Sequence, residues 1–192
     1  MGRAPAAGLL TSEELLAVAE EAARAAGALL LERYGGEHAV HAKSTPTDLV
    51  SEADLAAEAV IREVLASRVP DDGIVGEEGD DVPGTTGRRW VVDPLDGTIN
   101  FLFGFPQWCV SVACEDVVGV IFDPVRDELF AGGEELPTTL DGEALDGPRD
   151  TPLAAALVAT GFGYDAQQRG EQGRLAAEVP PRSRATRRPG SA

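Results

Sequence analysis

The sequence predicts a layered α/β fold, an α+β sandwich of alternating helix and sheet layers. Three observations carry this expectation. Two long segments with helical spacing of apolar residues open the chain; short apolar runs bounded by turn residues follow; mixed elements close it. At 192 residues, 43% hydrophobic and 26% charged, the chain has the length and composition to bury one sizeable core.

Thr11 and Glu14 fit a capping box. Leu15, Val18, Ala22, Ala26, Leu29 and Leu30 then recur at helical spacing until Gly35 and Gly36 stop the helix. A second helix starts near Ser51, carries Leu55, Ala59, Val64 and Leu65, and ends before Pro70. The stretch HAKSTPTDLV at 41–50 reads as a turn-rich loop between them. Strands are expected at 74–76, 90–93, 107–114, 117–122, 128–131 and 155–160, and a last helix over 166–178.

Acids outnumber bases 33 to 16, for a net charge of −17. Such a surface repels nucleic acid and membranes and attracts cations. No apolar run approaches the ~18–20 residues of a bilayer-spanning helix. The opening, MGRAPAAGLLTSEELL, turns acidic before a secretory signal could form its apolar core. Cys109 and Cys114 are too few for a disulfide scaffold or a zinc cage. Their odd offset in a strand places them on opposite faces, and they read as buried thiols of a cytoplasmic protein. Residues 169–192 hold six arginines and two glutamates. That stretch is either a basic arm for an acidic partner or an internal stretch of a longer fold.

Acidic residues of the first half stand where apolar runs end. Glu77 and Glu78 follow Ile74-Val75-Gly76; Asp93 follows Trp90-Val91-Val92; Asp96 comes three residues later; Asp48 and Asp54 stand upstream. Acids at strand ends converge at a sheet edge, where open α/β sheets hold ligands. Clustered carboxylates repel unless a cation lies between them, and an all-oxygen set suits Mg²⁺. In WVVDPLDGTINF, Pro94 stiffens the turn, Gly97 permits a left-handed backbone, and Thr98 can open a helix whose free N–H groups suit an anion. The same letters also fit a plain strand-to-helix turn with Asp96 as its cap.

Several rival chemistries are excluded. The two aspartates are three apart with a proline between, unlike the DxD of aspartyl-nucleophile phosphatases. There is no GxxxxGK[ST] phosphate loop and no GxSxG nucleophile elbow. His38 and His41, the only histidines, read as exposed loop residues.

Together, KSTPTDLVSEAD at 43–54, GEE at 76–78, WVVDPLDGTINF at 90–101, FGFP at 103–106 and GVIFDPVRDELF at 119–130 resemble the inositol monophosphatase family. This is a branch of the Mg²⁺-dependent, lithium-sensitive phosphatases. The resemblance implies two or three Mg²⁺ ions and hydrolysis of a small phosphorylated polyol by metal-activated water. It assigns Glu77, Asp93, the Leu95 carbonyl and Asp96 to metal. Glu77, Thr98 and Asp54 become the residues that position the water. Gly97 and Thr98 become phosphate-binding amides, Gly190, Ser191 and Ala192 substrate contacts, and Lys43, Asp48 and Glu78 supporting residues. Asp54 also fits a capping pattern from Ser51.

By the same resemblance, 1–165 is an N-terminal metal-binding phosphatase domain and 166–192 the start of a truncated C-terminal α/β subdomain. The family's later tryptophan–aspartate motif is absent, so exposed apolar surface and marginal folding are expected. Histidinol phosphate, fructose 1,6-bisphosphate and adenosine 3′,5′-bisphosphate are alternative substrates. An inactive, metal-binding or subunit-binding copy is an alternative role. The resemblance is compatible with a homodimer, and no residue read here marks an interface.

Overall fold

Helix α1 (Ser12–Arg33) begins at the capping box: Glu14 N donates to Thr11 Oγ1 at 3.2 Å and Thr11 N to Glu14 Oε2 at 2.8 Å. It ends at Tyr34, and Gly35 takes the left-handed turn with φ +80°. The computed structural model describes residues 10–36, 40–42, 49–147 and 150–191, and only the backbone of 40–42 and 49–51. Strands β1 (Val40–Ala42) and β2 (Leu49–Ser51) pair antiparallel, so the stretch expected as loop contributes two short strands. Lys43, Asp48 and His38 lie outside the described residues; His41 lies in β1 rather than in a loop.

Helix α2 (Glu52–Arg68) keeps Val64 and Leu65 toward the core, as expected, but not Leu55 or Ala59. Ala53, Ala57, Ile61 and Leu65 are buried, whereas Leu55 is 47% exposed and Ala59 faces solvent. The rotation has a reason: it turns Asp54 and Glu58 inward, and both are buried.

The main sheet has seven strands: β3 (Gly73–Gly76), β4 (Arg89–Asp96), β5 (Cys109–Cys114), β6 (Val118–Asp123), β7 (Glu128–Gly133), β8 (Thr139–Leu140) and β9 (Glu143–Ala144), in that order. β3 and β4 run parallel; every later neighbour is antiparallel. The sheet core comes from alternation, as in β5, where Val110, Val112 and Cys114 point inward. Cys109 is also buried but on the opposite face, as the odd offset requires. β8 and β9 have too few residues to show a period, and no strand is expected there from the residues alone.

α1 lies across β5, β6 and β7, α2 lies against β4, and the two helices pack on each other. Glycine permits the close approach: a Cβ on Gly27 would stand 2.6 Å from the Phe122 ring. Asp72, buried before β3, gathers Thr86 Oγ1 at 2.5 Å, Arg88 Nε at 3.0 Å and Trp90 Nε1 at 3.0 Å. This network ties β4 to the turn that precedes β3.

Helix α3 (Thr98–Leu102) follows β4 and is anchored by Phe101, whose ring meets Trp108 edge-on with centroids 5.1 Å apart. Burial of a side chain such as Phe101 is worth about 1.5–3 kcal/mol. The last elements are a 3₁₀ turn (Leu153–Ala155), β10 (Leu157–Ala159), α4 (Ala166–Ala176), a second 3₁₀ turn (Pro180–Arg182) and β11 (Ala185–Arg187). β10 and β11 form a separate parallel pair. Part of the arginine-rich stretch is therefore a paired strand, not a free arm. α4 buries no residue, and Leu157 and Leu175 are 65% and 67% exposed.

Candidate metal and phosphate site

The carboxyl ends of the parallel pair β3 and β4 lie side by side, and each ends in acid: Glu77 and Glu78 after β3, Asp93 and Asp96 at the end of β4. Strand alternation alone would send Asp93 and Asp96 to opposite faces. A bulge prevents this. Asp93 pairs with Ser111 and Asp96 with Cys109, so three steps along β4 match two along β5. Pro94, which has no N–H to give to the ladder, and Leu95 supply the extra residue. Both carboxylates consequently share the face that carries Ser111 and Cys109.

Asp93 is pressed against Glu77 by a side-chain hydrogen bond. Burial, then Glu77, then Asp96 push its carboxyl up to about 8, opposed only by the Leu95 amide, which donates to Asp93 Oδ1 at 3.2 Å. Two carboxyl groups in such contact hold a proton or a cation between them. Asp96 is engaged differently. Its Oδ2 accepts Ser191 Oγ at 3.0 Å and the Cys109 thiol at 3.5 Å. Among the described residues no three His, Cys, Asp or Glu side chains close around one point. The acids stand as a Glu77–Asp93 pair with Asp96 beside it.

Thr98 opens α3 directly after Gly97, whose φ is +93°. A Cβ at Gly97 would stand 3.0 Å from Ser191 Cβ and 3.1 Å from the Gln107 carbonyl, so both the backbone conformation and the space call for glycine. The Thr98 hydroxyl donates to Asp54 Oδ1 at 2.9 Å, and the Leu95 carbonyl lies 3.1 Å from the same hydroxyl. Asp54 is thus turned to Thr98 from inside α2, at the turn where a cap was the alternative.

The segment at 189–191 packs onto this turn. Asn100 Nδ2 donates to the Pro189 carbonyl at 2.8 Å and to the Gln107 carbonyl at 2.6 Å. Ser191 reaches Asp96, Gly190 stands against Asn100, and Ala192 lies outside the described residues.

Three contributors escaped the sequence reading. Asn100 clips two segments together. Cys109, expected as a structural thiol only, touches Asp96 and Ser191, and burial foremost pushes it up to about 12. Glu58 bonds the turn after Glu77: its Oε2 accepts Glu78 N at 2.7 Å and its Oε1 accepts Gly79 N at 2.9 Å. A signal for Glu58 was present: it falls one helical turn after Asp54, beside the buried stripe of α2.

A mixed sheet under two helices, with acids gathered at the ends of its parallel strands, defines the class as an α/β protein with a carboxylate-rich site at its sheet edge. The comparisons with known proteins narrow that class. Residues 11–192 match the model of the inositol monophosphatase family, and the chain belongs to that family. It is 38% identical over 159 residues to the inositol-1-monophosphatase of Synechocystis, covering 78% of this chain and 54% of that protein. It is 39% identical over 170 residues to the inositol-1-monophosphatase SuhB of Mycobacterium tuberculosis, covering 82% of this chain and 59% of that one. The crystal structure of the extragenic suppressor protein suhB from Bartonella henselae superposes with a TM-score of 0.87 at 32% identity, over 93% of this chain and 71% of that one. The chain thus spans somewhat over half the length of these curated relatives. Among the described residues no helix is long and apolar enough to cross a membrane.

Proposed function

We propose that this chain carries the metal- and phosphate-handling machinery of a phosphomonoesterase acting on a small phosphorylated polyol such as inositol monophosphate. The observation that carries the reading is the Thr98–Asp54 bond of 2.9 Å set beside the Glu77–Asp93 pair. A water-positioning hydroxyl and an acid pair demanding positive charge are what direct hydrolysis requires. The relatives' names support the substrate class.

The donor set fits Mg²⁺: it is all oxygen, and no basic group is among those that act on Asp93. Glu77, Asp93, the Leu95 carbonyl and Asp96 would hold it, as two or three ions. When bound, Mg²⁺ supplies Lewis acidity toward water and phosphate and neutralises charge on the leaving oxygen.

The chain's own groups do the rest. Thr98 donates its hydrogen bond to Asp54 and keeps lone pairs to accept a hydrogen bond from the attacking water. Glu77 is the second acceptor beside that water. The Gly97 and Thr98 amides, at the start of α3, bind phosphate oxygens. Ser191 and its neighbours line the substrate side. No covalent enzyme intermediate is needed. We place the protein in the cytoplasm, in keeping with its two free, buried thiols.

The test compares Mg²⁺-dependent phosphate release from inositol monophosphate by the wild type and by Asp93→Asn. Loss of release in the variant is expected. Equal rates would refute the reading.

A further inference from the structure

Helix α2 touches both loops of the site, and it does so with two buried acids one turn apart. Asp54, 1% exposed, takes the Thr98 hydroxyl of the β4–α3 turn. Glu58, 3% exposed, takes the amides of Glu78 and Gly79, the two residues that follow Glu77. We propose that Glu58 is a positioning residue. Through those two amides it fixes the turn that carries Glu77 at a set distance from Asp93, so that α2 serves as the jig for the acid pair. The inference rests on the metal role proposed above for Glu77 and Asp93.

Three features point the same way. A carboxylate accepting two backbone N–H groups holds them in a fork, with short charge-assisted bonds. Glu58 is itself fixed: Arg62, one turn on, donates Nε to its Oε1 at 2.7 Å, leaving the acid little freedom to rotate. The turn leaves room for this clasp only because it is glycine on both sides. A Cβ at Gly76 would stand 2.4 Å from Glu58 Oε1 and from Arg62 Nη2; one at Gly79 would stand 2.6 Å from Glu58 Oε1. The glycines of GEEG are therefore space made for Glu58 and Arg62, and neither has a positive φ to explain it otherwise.

Outer partners of metal ligands change metal affinity by about 10- to 100-fold. The test titrates Mg²⁺ alone, by calorimetry, into the full chain and into Glu58→Gln, Gly79→Ala and Ile61→Val. Amide hydrogen exchange is followed at 76–80. A glutamine must set an N–H₂ against one amide donor, so Glu58→Gln breaks half of the fork. Gly79→Ala attacks the clasp from the other side, which keeps the test alive if Glu58→Gln does not fold. Ile61→Val trims the same helix without touching the turn. Expected results are at least tenfold faster exchange at Glu78 and Gly79, and about tenfold or more weaker Mg²⁺ binding, in the first two variants only. Affinity within twofold of wild type in both, or an equal loss in Ile61→Val, would overturn the inference while leaving the functional reading intact. Absence of saturable Mg²⁺ binding by the wild type would overturn both. Mg²⁺ binding with these variant effects, but without phosphate release by the wild type, would overturn the activity alone.

Discussion

Thr98 and Asp54 are 44 residues apart in the chain, yet the hydroxyl of one lies 2.9 Å from the carboxylate of the other, and α2 brings them together. Because the Thr98 proton is committed to Asp54, what it offers the substrate side is lone pairs. Asp54→Asn and Thr98→Val should each slow phosphate release by about 100-fold or more, the scale of positioned proton acceptors, with Mg²⁺ affinity within a few-fold of wild type. The double variant should be no slower than the worse single one, since the two act as a unit. Steady-state kinetics with a parallel metal titration would check this; additive losses would separate their roles.

Asp72 makes acid stability a second readout. Burial raises its pKa, but the bonds from Arg88, Thr86 and Trp90 outweigh burial and hold it below the ordinary carboxylate range. A folded-state value below the unfolded one means that the stabilisation is complete above the unfolded value, near 3.9, and is lost as pH falls through the folded one. Urea melts should therefore show stability falling below about pH 4, and Asp72→Asn should flatten that fall. At neutral pH the same variant should cost about 3 kcal/mol, because it leaves the Arg88 cation beside a neutral group.

The thiols offer a third. Burial, ahead of all other causes, pushes Cys109 up to about 12 and Cys114 up to about 11. Almost no thiolate exists at pH 8, so an aromatic disulfide reagent should label neither cysteine in the native chain and both after denaturation. Prompt labelling of Cys109 in the native chain would contradict its packing behind Ser191.

What could be read ahead of the structure was local. The capping box at Thr11, the close of α1 at Gly35 and the acids at the ends of β3 and β4 each follow from residues within a few positions of one another. The resemblance added the Thr98–Asp54 pair. What could not be read depended on rotation or register. Leu55 and Ala59 fit a helical period as well as Ala53 and Ala57 do, and only packing against α1 and β4 decides which face turns inward. Glu58 was passed over for that reason. Cys109 could be assigned a face opposite Cys114, but its neighbours, Asp96 and Ser191, are set by a bulge and by a segment 82 residues away.

The bulge at Pro94-Leu95 works as a parity switch. A strand has only two sides, and the extra residue between Asp93 and Asp96 cancels their odd spacing; were this stretch regular at the same length, the second carboxylate would pass through the sheet to the helix side. At their three-residue spacing these two acids therefore share a face only as long as the bulge is kept. A change that straightened the strand at Pro94-Leu95 without shortening it would spare most of the sheet and part the two acids.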